Sequence, residues 1–145
     1  MEFASRPHAA TTTGIPMELL IPASPGELLD KLTILEIKLE RITDPAKLAN
    51  VRREHELLTQ AWNEGDLETA EVTALRAGLH TVNRRLWDIE DAIRDCERDK
   101  DFGDRFISLA RSVYMENDER AAIKKKINLA LGSQIVEEKS YKDYR

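Results

Sequence analysis

Seven polar and aromatic side chains recur at helical spacing in the second half of the sequence: Arg76, His80, Asn83, Trp87, Glu90, Arg94 and Glu97. Steps of three and four residues put them on one ridge of a helix. Trp87 is large enough to require partial burial of that ridge. Asn83 and Glu90 lie one turn to either side of it. Two outcomes are open: a network at the edge of the core, with Glu90 and Arg94 paired across one turn, or a polar pocket walled by Trp87. Further along, Arg120 projects onto the apolar side formed by Ile123, Ile127, Ala130 and Leu131, with Lys124 beside it. Burying a guanidinium alone is very costly, so Arg120 needs an acid or a bound anion. Asp30, Glu36 and Glu90 are the candidate acids.

Lys31 and Lys38, seven residues apart, edge the apolar stripe of an earlier helix. Asn117 and Tyr114 stand one turn and two turns before Arg120. Asn117 is expected to cap a helix, and Tyr114 could deliver its hydroxyl to the same region. The ligand-binding candidates are therefore Lys31, Lys38, Asn83, Trp87, Glu90, Arg94, Tyr114, Asn117, Arg120 and Lys124. A small anion is the ligand they would suit. No catalytic group is assigned, and no metal or cofactor is expected.

Other chemistries find less support. His8, His55 and His80 lack metal-ligand spacing. Asp88, Asp91 and Asp95 share one helix face, but holding Mg²⁺ would require a second acidic helix opposite. There is no glycine-rich phosphate loop and no G-x-S-x-G motif. Cys96 is the only cysteine, so no internal disulfide forms, and it falls at an apolar seam position that suits a buried thiol.

Helices must position these groups. Ser24-Pro25-Gly26-Glu27 is a helix start with cap, proline and capping-box acid. The first helix should run to about Ile42, with Leu28, Leu32, Leu35, Leu39 and Ile42 on one side and Ile34 and Ile37 on the other. Such a two-sided helix is central in a bundle or shared with a partner. Thr43-Asp44-Pro45 starts a second helix, to about Asn63, anchored by Leu48, Val51, Leu58 and Trp62. A third, about 67–98 with Asp66 as cap, carries a heptad-like seam of Val72, Leu75, Leu79, Val82, Leu86, Ile89, Ile93 and Cys96. A fourth, about 104–116, and a fifth, about 118–131, are separated at Asn117-Asp118, and Gly132 is the stop. The expectation is an all-α bundle of about five helices around one long central helix. Residues 1–16 read as a disordered leader, 17–132 as one helical domain, and 133–145 as a polar tail that docks loosely or is disordered.

A length of 145 residues suits one domain with its own core. The net charge of −5 argues against nucleic acid as a partner. No apolar run approaches a membrane span, and the single cysteine fits a reducing, cytoplasmic setting.

The segments PASPGELLDKLTILEIK (22–38), NRRLWDIEDAIR (83–94) and 102–128 resemble an uncharacterised family of short helical bacterial and phage proteins. The resemblance covers nearly everything from Met17 onward. It implies no activity, only an association with surface-polysaccharide and glycosyltransferase genes. A second resemblance, of DKLTILEIKLER (30–41) and Arg52-Arg53-Glu54, is to all-helical chorismate mutases. It would imply that Lys31, Lys38, Arg120 and Lys124 enclose a dicarboxylate. The leading expectation is a non-enzymatic adaptor that self-associates or binds another protein. The alternative is a small-anion-binding protein or enzyme.

Overall fold

A computed structural model describes residues 17–145; the expected leader lies outside the described residues. Four helices follow one another: α1 (Pro25–Arg41), α2 (Pro45–Glu64), α3 (Ala70–Asp99) and α4 (Asp104–Ala130). The starts of α1 and α2 come from their capping chemistry. Ser24 Oγ accepts the Glu27 N–H, and Asp44 accepts those of Ala46 and Lys47, each with proline opening the helix. α3 starts later than its apolar pattern suggests. Its cap is Thr69, which accepts from Val72, while Asp66 takes up a left-handed turn conformation at φ 49° instead.

α4 corrects the expectation of two helices divided at Asn117-Asp118. It runs unbroken through both residues, so the bundle has four helices rather than about five. Asn117 is therefore a mid-helix residue and caps nothing. Neither Asn nor Asp is a breaker: each costs well under 1 kcal/mol inside a helix, and neighbouring packing overrides that. Gly132 does end the helix. It sits at φ 63°, and the Ser133 N–H reaches back to the Asn128 carbonyl at 2.9 Å.

α1 is the one helix that lies against each of the other three. It runs antiparallel to α4, as Gly26–Asn128, Glu27–Lys124 and Asp30–Arg120 show. Against α3 it makes contact through Asp30–Asn83, Glu36–Arg76, Glu40–Arg84 and Arg41–Asp88. Both of its apolar sides are used within the chain: Leu29, Leu32, Leu35 and Ile37 are all buried. Leu29 and Leu32 join Trp62, Val72, Leu79 and Ile127 in a core that draws on every helix.

The helices differ in length, and that shapes the molecule. α1 ends level with Asp88, where Arg41 Nη1 meets Asp88 Oδ1 at 2.7 Å. α3 continues to Asp99, about 16 Å further at 1.5 Å per residue. α4 returns alongside it, with Arg85 and Glu116 3.7 Å apart across the pair. The result is a two-helix arm standing clear of α1 and α2. From residue 87 to residue 126, Cys96 is the only buried position.

The close approach of α1 to α4 depends on Gly26. Its N–H donates to Asn128 Oδ1 at 2.7 Å. A Cβ there would stand 2.6 Å from the Lys124 carbonyl oxygen and 2.8 Å from Asn128 Oδ1. Gly26→Ala should therefore lower stability by about 1–3 kcal/mol, the usual cost of overpacking. The readout is a lower urea midpoint at unchanged m. An unchanged or raised midpoint, as helix propensity alone would give, would show that α1 and α4 do not close at this point.

Candidate functional site

Asp30 is a carboxylate with only 1% of its surface exposed, set where α1, α3 and α4 meet. It is held by donors from two helices. Arg120 of α4 grips it bidentately, with Nε donating to Oδ1 at 2.8 Å and Nη2 donating to Oδ2. Asn83 of α3 donates through Nδ2 to the same Oδ1 at 2.9 Å and to Thr33 Oγ1 at 3.0 Å. Thr33 in turn donates to the Asp30 carbonyl. Of the three candidate acids, Asp30 is the one that takes Arg120. Glu36 is paired with Arg76, and Glu90 with Arg94.

Lys124, one turn beyond Arg120, binds Glu27 Oε2 at 2.6 Å and lies 3.5 Å from Glu137 and 3.8 Å from Asp30. Partial burial pushes the Glu27 carboxyl up. The hydrogen bond and charge of Lys124 outweigh it, aided by Glu137, and leave the group below its ordinary value. The Arg120 guanidinium is held above its ordinary value, chiefly by its hydrogen bonds to Asp30 and against the effect of burial. Both cations are thus committed to acids of the chain itself.

Two clefts border this junction. The first, of about 500 Å³, is walled by Trp87 and includes Asn83, Glu90, Arg94, Asn117 and Arg120, with Ile34 and Ile37 of α1 as its floor. Six of the ten expected site residues meet here. The second, of about 790 Å³, lies between α4 and the C-terminal tail, and includes Tyr114, Asn117, Arg120 and Lys124. Lys31 and Lys38 line neither cleft; Lys31 is exposed and reaches Glu27 at 3.8 Å. The four cations expected to enclose a dicarboxylate are therefore not brought to one cleft.

Both oxygens of Asp30 accept hydrogen bonds from the chain itself, and Asp30 does not line the Trp87 cleft. Glu90 and Arg94 pair across one turn at 2.5 Å on an exposed face, worth about 0.3–0.5 kcal/mol. Among the described residues no group of three His, Cys, Asp or Glu side chains could hold a metal ion. The tail brings in contacts that sequence reasoning did not assign to particular residues. Tyr144 donates to Asp118 at 2.7 Å, and its ring meets Tyr114 edge-on at 5.0 Å. Lys125 pairs with Glu138 at 3.2 Å. The signal for this docking was the pair of tyrosines three apart in an otherwise polar segment.

The network predicts an asymmetry. Arg120→Met leaves a buried carboxylate facing only Asn83 and a lysine at 3.8 Å, and should cost about 3–5 kcal/mol. Asp30→Asn leaves a guanidinium that can turn toward water and should cost clearly less, with the double variant recovering part of the Arg120→Met loss. Urea unfolding of the four proteins tests this; equal, additive losses would contradict it. Glu27 adds a pH dependence. A carboxyl held below its ordinary value stabilises above its unfolded pKa and loses that contribution as pH falls through the folded one. Stability should therefore decline as pH drops below about 4.5, and Glu27→Gln should flatten the decline.

No match to the chain is found among curated proteins or among solved structures. One family model matches residues 19–144, from the lead-in through α4 and the tail to Tyr144. The chain belongs to the family of unknown function DUF6165.

Proposed function

We propose that the protein is a non-enzymatic interaction module that docks through the arm formed by the outer halves of α3 and α4. The observation that carries this reading is the run from residue 87 to residue 116, in which Cys96 alone is buried. A helix pair of that length normally buries a stripe along each member. Here Phe102 is 50% and Ile107 52% exposed, with Tyr114 and Met115 also open. Ile107, Arg111 and Tyr114 fall on one ridge of α4, and Met115 lies beside them. Grouped apolar side chains of this kind mark contact surfaces.

The reasons first offered by the sequence no longer support docking. Both sides of α1 are covered within the chain, and the α3 seam faces α4. The arm supplies the support instead. The occupant we favour is a second copy, because arm against arm would complete a four-helix arrangement. A role beside surface-polysaccharide assembly, implied by the family resemblance, is compatible with a protein that carries no reaction of its own. No helix among the described residues is long and apolar enough to cross a membrane, and we place the module in the cytoplasm on the strength of its lone, reduced cysteine.

Light scattering over a concentration series is the test. Wild-type protein should dimerise, and Ile107→Glu with Met115→Glu should yield monomers whose urea midpoint matches that of wild type diluted until it is monomeric, since neither side chain is buried in the monomer. A stable dimer needs about 800 Å² per partner, so the double charge should abolish it. Wild-type protein that stays monomeric to about 1 mM, a concentration at which even weak specific pairs form, would remove the second copy as occupant.

A further inference from the structure

The cleft between α4 and the tail differs from the Trp87 cleft in the state of its charges. Its acids are all engaged: Glu27 and Glu137 by Lys124, and Asp118 by the Tyr144 hydroxyl. Arg120 and Lys124 are engaged in return. Lys139 and Lys142 are not; neither has an ion-pair partner among the described residues, and both line the cleft. This leaves Lys139 and Lys142 as the two cations of the cleft without an ion pair.

The aromatic content is equally uneven. The sequence has three tyrosines, and all three line this one cleft. Tyr114 and Tyr144 are locked edge to face, whereas Tyr141 is 77% exposed at the mouth with no ring partner. An exposed ring beside two free lysines is a stacking platform beside an anion receptor. The volume, about 790 Å³, is in the range of small-molecule sites. The tail that supplies these groups is held by surface contacts, so it can adjust around an occupant.

We infer that this cleft binds a small organic phosphate of nucleotide size, its flat ring stacked on Tyr141 and its phosphate held by Lys139 and Lys142. The cleft shares Tyr114 with the arm's outer ridge, but the groups that would hold the ligand all lie in the tail, so its occupation does not require docking at Ile107 and Met115. Phosphate alone would lack the stacking contact, and a nucleoside alone would lack the charge contact, so neither fragment should match the whole. The binding should weaken with added salt, as contacts between exposed charges do.

Isothermal titration of the full chain with AMP, adenosine and inorganic phosphate tests this directly. AMP should saturate the protein at a one-to-one ratio, at least about tenfold tighter than either fragment, since tenfold is what one modest added contact supplies. Lys139→Ala with Lys142→Ala should weaken AMP about tenfold or more and leave adenosine unchanged; Tyr141→Ala should weaken AMP and adenosine alike. All three substitutions lie in an exposed segment, so the melting temperature without ligand should not move. Lys47→Ala, an exposed residue of α2 that lines no part of the cleft, is the control and should stay within about twofold of wild type, the scatter expected for a distant site. No saturable AMP binding overturns the proposal. So does binding that ignores the lysine pair, or that Lys47→Ala weakens as much, since the ligand would then sit elsewhere.

Discussion

A single buried carboxylate fixes how three of the four helices meet. Asp30 cannot be dehydrated without donors, and Arg120 and Asn83 supply them from two other helices. The bidentate geometry of the guanidinium leaves little freedom in the angle between α1 and α4. A buried ion pair of this kind adds little net stability over an apolar replacement, but breaking it is expensive. Its effect is to select one packing over others. The Gly26–Asn128 contact and the Glu27–Lys124 pair extend the same α1–α4 seam by one turn each toward the chain's C-terminal end.

That anchoring divides the molecule. On one side of Asp30 lie the closed core, with Leu29, Leu32, Trp62, Val72, Leu79 and Ile127, and the short helices that cover it. Beyond the Arg41–Asp88 pair at the end of α1, α3 and α4 run on together. The arm keeps a thin internal seam, where Cys96 is buried and Phe102 meets Phe106 edge to face at 5.4 Å, and offers its outer ridge to solvent. The tail does for α4 near Asp118 what no segment does for the arm: it covers an apolar face with tyrosine and ties itself down with acids.

Much of this was legible in the residues. Ser24-Pro25 and Asp44-Pro45 marked two helix starts because capping is a local interaction. Arg120 announced itself by lying on an apolar face, and the ridge around Trp87 did form one wall of a cleft. The choice among Asp30, Glu36 and Glu90 as its partner was not legible, since it depends on how helices cross rather than on any spacing. The same holds for Lys31 and Lys38: the helix stripe placed them at its edge, but could not say that this edge faces away from both clefts. The break expected at Asn117 failed for another reason. Asn117 and Asp118 disfavour helix only weakly, and no glycine or proline enforces a stop there. The tail cleft escaped notice because aperiodic segments carry no positional signal; only the clustering of Tyr141 and Tyr144 hinted at docking.

The central claim is that the Asp30 junction, rather than the arm, holds the fold. Native-state hydrogen exchange on wild type and Arg120→Met, both as monomers, addresses it most directly. In wild type, amides of α1 from Leu28 to Ile37 should exchange only through global unfolding, while those of residues 100–115 exchange far faster. In Arg120→Met, protection should fall throughout α1 and in α4 beyond Asn117, with little change in the arm. Equal protection of arm and junction in the wild type, or a loss in the variant confined to the arm, would contradict the account.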